Sequence, residues 1–540
     1  MAGYDRGLND ASFESIDGGS VEKSGMPGSE SLLTPYERAV NQMQQLLTWA
    51  VRPSRTPSKK FRPNMPAFPR STLRPTPVWP RRTLTMAALL LAGCATPFDN
   101  QPQNRPITAA FIEQSQQPRS IVGGNTIGLS LSGGGLRASA FSFGVMQALA
   151  AAGDPSVDLF DDLTFMSSVS GGSLTAAYMA LHGRDGLQHF RKRVLDANLE
   201  RDLRLSLFSP VNLARLLAGG VNDRSNLAAS LDADVFRGAT FADLYRRNKP
   251  DVWINATDLY NRTPFPFIPP VFFGLCSDLS QVRVSEAVAA SMAVPLAFAP
   301  VVLNTFPNDC LSPLPPNMDA LLADEGSVTA GIVASTARAM RNYRDPQRMR
   351  YVKLADGGLT DNQGLGSILI ARAISGTPHG PLNEEDAVRL RRMLFLIVDA
   401  GRPPTGDWAL QLDGPSGVDV GIAAADAAID SATRLSAAAF RTMAVEWRDS
   451  IVRFRCGLTQ AQVRRHVAND AAWRCDDVTF FVGTVSAESL APERASKLRE
   501  IPTRLSLPKE DIDAAIDAGR DAALTNPALR AYLADRAARP

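Results

Sequence analysis

The 540-residue chain predicts an α/β fold built on a central, mostly parallel sheet. Two observations carry this. Short apolar runs alternate through the middle of the chain with Ala- and Leu-rich helical stretches, the pattern of βαβ units. Several runs are continuously apolar rather than alternating, as strands covered on both faces of a sheet must be. Composition agrees, since 45% hydrophobic and 21% charged residues exclude a disordered chain. Length excludes a small disulfide scaffold and allows one large domain with extensions.

The front of the chain differs from the rest. Overall, 57 Lys+Arg against 55 Asp+Glu exclude a strongly basic nucleic-acid binder as the default. Residues 1–93 hold 12 of the basic and 7 of the acidic side chains, so the positive excess is local and points to targeting. Eight prolines within residues 52–80 prevent helix or central strand there. Arg81 and Arg82 then precede a short apolar run ending in Leu91-Ala92-Gly93-Cys94. A basic start, an apolar stretch of about eleven residues and small residues at a cleavage point make a secretory signal, too short for a membrane span. The last four residues resemble the bacterial lipobox, in which Cys94 becomes the lipidated first residue. Residues 65–94 are therefore expected to be a lipoprotein signal starting at Met65, and 1–64 an upstream, disordered or mis-assigned extension. The location expected is the bacterial cell envelope, anchored by lipid to a membrane, the outer one because Ala95 rather than an aspartate follows the cysteine. An ordinary core cysteine in a short buried helix is the alternative. With Cys94 set aside, Cys276, Cys310, Cys456 and Cys475 form two sequence-local pairs, which an oxidising compartment allows to become disulfides 276–310 and 456–475. Four free thiols are the alternative; a metal site is not expected, because neither CxxC nor zinc-ligand spacing occurs.

Residues 95–120 read as a polar tether, and the folded part begins after them. Strands are expected at Ile127–Leu131, Thr164–Val169, Val252–Ala256, Tyr351–Leu354 and Leu394–Val398. Helices are expected at Ala138–Ala152, Ser173–Leu181, Ser285–Ser291, within 318–342 and at Ile422–Met443. Further on, Ile451–Cys456 and Val478–Val482 read as strands flanking a helical Gln460–Asn469, and residues 509–536 as terminal helices.

Three segments carry chemistry. The first strand runs into Gly133, Gly134 and Gly135, followed by Leu136, Arg137 and Ala138 at a helix start. Such glycines turn the backbone and leave amide N–H groups open to an anion. That anion is a dinucleotide pyrophosphate, since the spacing fits the Rossmann fingerprint, or the oxyanion of acyl transfer. The second strand decides between them. It ends not in an acidic residue but in Ser168-Val169-Ser170-Gly171-Gly172, a nucleophile elbow between strand and helix. Third, Asp356 follows a strand directly and is itself followed by Gly357 and Gly358. Desolvation there would raise its pKa and make it a workable base for Ser170. The four histidines, His182, His189, His379 and His466, sit in no strong motif.

These segments, in this order, resemble the patatin-like phospholipase family over roughly residues 125–400, and Ala287–Pro300 is similar to it as well. The resemblance implies a three-layer α/β/α hydrolase fold that cleaves acyl esters of membrane lipids by a Ser–Asp dyad. Ser170 would be the nucleophile, Asp356 the base, and the amides of Gly133, Gly134 and Gly135 the oxyanion hole, with Arg137 supporting that loop. Ala138 and Ser168 stand where the family has glycines, and Ser168 adds bulk beneath the elbow. No cofactor, metal or nucleic acid is expected; the expected partners are a lipid-ester substrate and, through the anchor, a membrane surface. The catalytic domain is expected over 121–405, with 302–350 an insertion that is a lid or a lobe pinned by the 276–310 disulfide. Thr263–Phe273, rich in aromatics and prolines, lines an acyl pocket, touches membrane, or packs as a core loop. Residues 406–540 form a C-terminal helical and strand extension without an assigned role. Rival readings are an α/β-hydrolase esterase recruiting His379 or His466, a non-catalytic lipid-binding envelope protein, and a dinucleotide binder. Asp361 and Asp399 are the reserve candidates for the base.

Overall fold

The computed structural model describes residues 99–116, 123–152, 159–204, 209–246, 250–324, 326, 329–401, 407–412, 414–468 and 472–539. Cys94 and the 1–64 and 65–94 segments lie outside them. No helix among the described residues is long and apolar enough to cross a membrane.

The main sheet has eight strands. Its order is β10 (Thr479–Ser486), β9 (Arg392–Asp399), β1 (Asn125–Leu131), β2 (Leu163–Val169), β4 (Asp251–Asp258), β8 (Tyr351–Asp356) and β7 (Val301–Asn304), with β5 (Thr263–Pro266) also paired to β4. Strands β10, β9, β1, β2 and β4 run parallel; β8, β7 and β5 join antiparallel. β3 (Gly220–Asn222) and β6 (Leu296–Phe298) form a separate small pair. β9 is buried up to its last residue, which explains its continuous apolar run Met393–Val398. β2 is buried throughout and β1 after its first residue, with Ser130, Thr164, Ser167 and Ser168 enclosed.

Helices cover both faces. α1 (Ala109–Gln116) precedes the sheet; α2 (Gly135–Ala151) follows β1, and α3 (Gly171–His182) follows β2. Later come α4 (Pro269–Leu275), α5 (Val284–Ser291), α6 (Met318–Ala323), α7 (Ala330–Tyr343), the short α8 (Gly358–Asp361) and α9 (Gly366–Ser375). The C-terminal extension supplies α10 (Gly417–Cys456), α11 (Gln460–Val463), α12 (Pro492–Glu500), α13 (Lys509–Thr525) and α14 (Pro527–Ala538). On one face α13 crosses α2 with almost no separation. An added Cβ at Gly144 would lie 2.0 Å from the Ile516 carbonyl oxygen, and one at Gly519 would lie 2.0 Å from that of Phe141. Only glycine fits at either point of the crossing. The other face is closed by α9 and the C-terminal half of α10, where Phe440, Met443, Trp447 and Ile451 pack with Phe395, Ile397 and Leu369. The extension thus provides an edge strand and part of both helical layers.

Ile451–Cys456, read as a strand, is the last turn and a half of α10. Its alternation of apolar and charged residues suggests period two, but Trp447 and Ile451 continue the spacing of three and four set by Phe440 and Met443. Arg455 also looks solvent-facing in sequence. It is buried instead, donating to Asp477 at 2.6 Å and to the Arg474 carbonyl at 2.6 Å. Among the described residues 460–468, helix is confined to α11.

Residues within the expected tether are docked. Ile107 donates to the Cys276 carbonyl at 2.8 Å, Asn104 to Ser277 at 2.9 Å, and Phe111 is buried with its ring 5.6 Å from Phe273. The Thr263–Phe273 segment is core rather than a membrane-touching loop. It forms β5 and α4, and Phe265, Phe267 and Phe272 are fully buried in one aromatic cluster. The 302–350 insertion is a structural lobe. Cys276 and Cys310 are joined, Tyr343 donates to Asp258 at 2.8 Å, and Arg344 donates to the Phe273 carbonyl at 2.7 Å. Cys456 and Cys475 are joined as well, with Cα atoms 4.9 Å apart.

Candidate active site

The turn after β2 places Ser170 at φ 48°, ψ −120°, a left-handed conformation that side-chain-bearing residues seldom adopt. Such strain persists only where the surroundings enforce it. Here the Ser170 amide donates to the Ser291 hydroxyl at 2.7 Å, and that hydroxyl donates to the Asn255 carbonyl at 2.6 Å. The start of α3 also abuts the glycine loop. A Cβ at Gly171 would sit 1.9 Å from the Gly135 carbonyl oxygen, so the elbow requires glycine there. Ser168 is accommodated beneath it: the side chain is buried and its hydroxyl reaches the Trp253 carbonyl at 3.4 Å.

Asp356 ends β8, which runs antiparallel to β4, so it does not share the strand direction of the βα units. Register brings it to the same edge nonetheless. Val169 pairs with Asn255, and the next residue of β4, Ala256, pairs with Asp356. The carboxylate accepts the Gly358 amide at 2.8 Å and the Ser170 hydroxyl. Asp356 is 8% exposed and Ser170 7%. Burial raises the Asp356 carboxyl to about 6, against the opposing pull of the Gly358 amide and the Ser170 hydroxyl.

The glycine loop bends between β1 and α2. Gly133 was expected to donate to an oxyanion, but its N–H is committed to the Asn362 carbonyl at 3.0 Å. It anchors the loop and is removed from the oxyanion set. The Leu136 amide is likewise committed, to the Arg504 carbonyl at 2.8 Å. The amides of Gly134 and Gly135 remain, and Gly134 lines the cleft. Arg137 is buried and donates to the Ile501 carbonyl at 2.8 Å, bracing the loop from behind.

These parts meet in a cleft of about 390 Å³. Ser170, Asp356, Gly133, Gly134 and Arg137 line it together with Val294, Pro295, Leu359 and Asn362. Asp426, Ile429 and Asp430 of α10 and Thr503 of the α12–α13 connection complete the wall. The chemistry available is attack by a serine whose proton passes directly to a desolvated carboxylate, beside open amides at a helix start.

The family model described as Patatin-like phospholipase matches residues 129–368, a span holding the glycine loop, Ser170 and Asp356. That segment is similar to the patatin-like phospholipase family. Among solved structures, human GIVD cytosolic phospholipase A2 aligns at 12% identity and TM-score 0.35, over 79% of this chain and 65% of that one. VipD from Legionella pneumophila aligns at 14% identity and TM-score 0.29, over 82% of this chain and 73% of its own. No curated protein matches the chain.

The other candidate bases near this segment separate cleanly from the cleft. Asp361 is also raised to about 6 by burial, but its carboxyl accepts the backbone amides of residues 363–366 and lines no part of the cleft. Asp399 is held by the Gln363 side chain at 2.7 Å and the Gly401 amide at 2.8 Å, in a neighbouring polar cavity. None of the four histidines lines the cleft. His379 holds the Leu382 carbonyl at 2.8 Å beside Phe454, and His466 lies 3.4 Å from Glu384. Sequence reasoning missed the roles of Ser291, Asn362, Asp426, Asp430 and Thr503. Ser291 lies in the Ala287–Pro300 stretch and Asn362 shortly after Asp356, so a local signal existed for those two. The three C-terminal residues lie on an ordinary helix and loop with no motif of their own.

Proposed function

We propose that the protein hydrolyses carboxylic esters of membrane lipids through an acyl-serine intermediate, with Ser170 as nucleophile and Asp356 as general base. The observation that carries this is that Ser170 and a buried carboxyl raised to about 6, which the Ser170 hydroxyl pulls the other way, line one cleft that no histidine lines. As Ser170 Oγ attacks the ester carbonyl carbon, its proton moves to Asp356 and the carbonyl oxygen becomes an oxyanion held by the Gly134 and Gly135 amides. Collapse expels the alcohol, which takes the proton back from Asp356. Water then repeats the sequence, with Asp356 removing its proton and Ser170 regaining one as the fatty acid departs. Val294 and Pro295 in the wall, with Leu296 67% exposed beside them, support an acyl-chain approach from that side.

A panel of defined phospholipids and neutral glycerolipids, read by mass spectrometry of released fatty acid, tests the reading. Release from at least one lipid, blocked by a fluorophosphonate that labels Ser170, is expected. A folded protein that releases acid from none, or a label elsewhere, sinks it. A single histidine-to-alanine change as damaging as loss of Ser170 would favour a triad instead.

We also propose that the chain is anchored in the bacterial envelope through lipid on Cys94. Intact-mass analysis of the membrane fraction should find a chain starting at Cys94 with added acyl mass. An unmodified soluble chain retaining residues 65–93 overturns this.

A further inference from the structure

The C-terminal extension reaches the cleft at two places beyond the family match, the α10 wall and the α12–α13 connection. Between α12 and α13 the backbone passes directly behind the glycine loop. The Arg504 carbonyl accepts the Leu136 amide at 2.8 Å, and the Ile501 carbonyl accepts the Arg137 guanidinium at 2.8 Å. The fit is close: a Cβ at Gly135 would lie 2.6 Å from the Arg504 carbonyl oxygen. Thr503, between these two contacts, lines the cleft itself.

The same segment is fastened to the catalytic domain on its outer side. Arg504 grips Glu200 through Nε at 3.2 Å and Nη2 at 2.6 Å, and the Leu505 amide donates to the same carboxylate at 2.9 Å. Burial pushes the Glu200 carboxyl up, but Arg504 and the Leu505 and Ser506 amides outweigh it and hold the group below its ordinary value. Glu200 is therefore a charged acceptor for the whole connection.

We infer that residues 501–505 are a strap that sets the position of the oxyanion loop, with Glu200 and Arg504 as the positioning residues that lock it. The physical reason lies in the loop. Leu136 is in the first turn of α2, where amides have no partner within the helix. Gly134 and Gly135 both have positive φ, at 138° and 62°, a region in which glycine moves at little cost. Without an external acceptor for Leu136, nothing in the helix itself holds the preceding peptide groups at the angle an oxyanion needs. Donors to an oxyanion act only within a few tenths of an ångström of the right place. A strap that fixes Leu136 and Arg137 together fixes the peptide between them and Gly134. This gives residues beyond the family match a part in catalysis, and it rests on the hydrolase reading for its kinetic consequence.

The ion pair is exposed on the Arg504 side, at 55%, so breaking it should leave the fold standing. The test compares Arg504→Met and Glu200→Gln with Arg504→Lys as the conservative rescue. With a lipid ester that the wild type cleaves, kcat should fall about tenfold in Arg504→Met and Glu200→Gln while KM stays within about twofold, and Arg504→Lys should recover most of the loss. Amide hydrogen exchange, which needs no substrate, should show the Leu136 amide exchanging about tenfold faster in Arg504→Met, with the β1 and β2 amides unchanged. Unchanged exchange at Leu136 overturns the strap whatever the kinetics. So does a wild-type kcat in both disabling variants, or a loss of kcat that tracks a general loss of stability. If the wild type cleaves no lipid ester but the exchange result holds, the hydrolase reading has failed and the strap contact has not.

Discussion

Ser170→Ala should abolish lipid-ester hydrolysis, lowering kcat by about four orders of magnitude or more, while the protein stays folded. The serine contributes almost nothing to packing. Its side chain faces the cleft, and the elbow is held by the Ser170 backbone amide on Ser291, a contact alanine keeps. The remaining rate would come from the amides of the glycine loop polarising the carbonyl for attack by water. The double variant Ser170→Ala, Asp356→Asn should be no slower than Ser170→Ala by more than a few-fold, because a base has no task once its nucleophile is gone. Steady-state hydrolysis of a defined lipid, with circular dichroism as the folding control, decides both points. Substantial turnover by Ser170→Ala would exclude Ser170 as the nucleophile.

Asp356→Asn should cost about three to four orders of magnitude in kcat, through the proton rather than the shape. Asparagine still accepts the Gly358 amide and the Ser170 hydroxyl but cannot take the serine proton. In the wild type, kcat/KM should rise with pH as Asp356 ionises, level off above about pH 6, and fall tenfold per unit well below it. The variant should lose that acid limb. The effect on stability has the opposite sense. A folded-state value raised from 3.8 to about 6 means that the native protein binds this proton more tightly than the unfolded chain does. That contribution is fully present below about pH 4 and is lost as the pH rises to about 6. At neutral pH the buried carboxylate is therefore a burden, and Asp356→Asn should melt no lower than the wild type. A variant that is both inactive and markedly less stable would show that Asp356 acts as a structural group instead.

How much of this was legible in the sequence follows from how local each device is. The glycine loop, the Ser170 elbow and Asp356 with its two glycines are each a strand end plus the few residues that turn the chain, so each left a readable signature. The amide assignment was only partly readable. Gly133 looks like its neighbours in sequence, and only the approach of Asn362, more than two hundred residues away, removes it from the oxyanion set. The antiparallel entry of β8 was invisible for the same reason, since register belongs to pairs of strands. Residues 426, 430 and 503 reach the cleft because α10 is one unbroken helix and α13 is seated on α2 through two glycines. Neither fact is written near the residues it delivers. The aromatic run at 263–273 failed as a pocket signal because large apolar side chains satisfy a core as readily as a substrate, and the sequence cannot say which surface they meet.

β10 has a consequence in time. It pairs with β9 along its full length yet is made some eighty residues later, and the strap and α13 are made later still. Until then β9 has one unpaired edge, the glycine loop has no acceptor for Leu136, and the cleft lacks Thr503. Synthesis runs from the amino terminus, so the nucleophile and its base exist as chain long before the assembly that would arm them. A partly made chain of this protein carries Ser170 and Asp356 without the Arg504 carbonyl that accepts the Leu136 amide. On the proposed reading, the cleft is complete only when the last segment is in place.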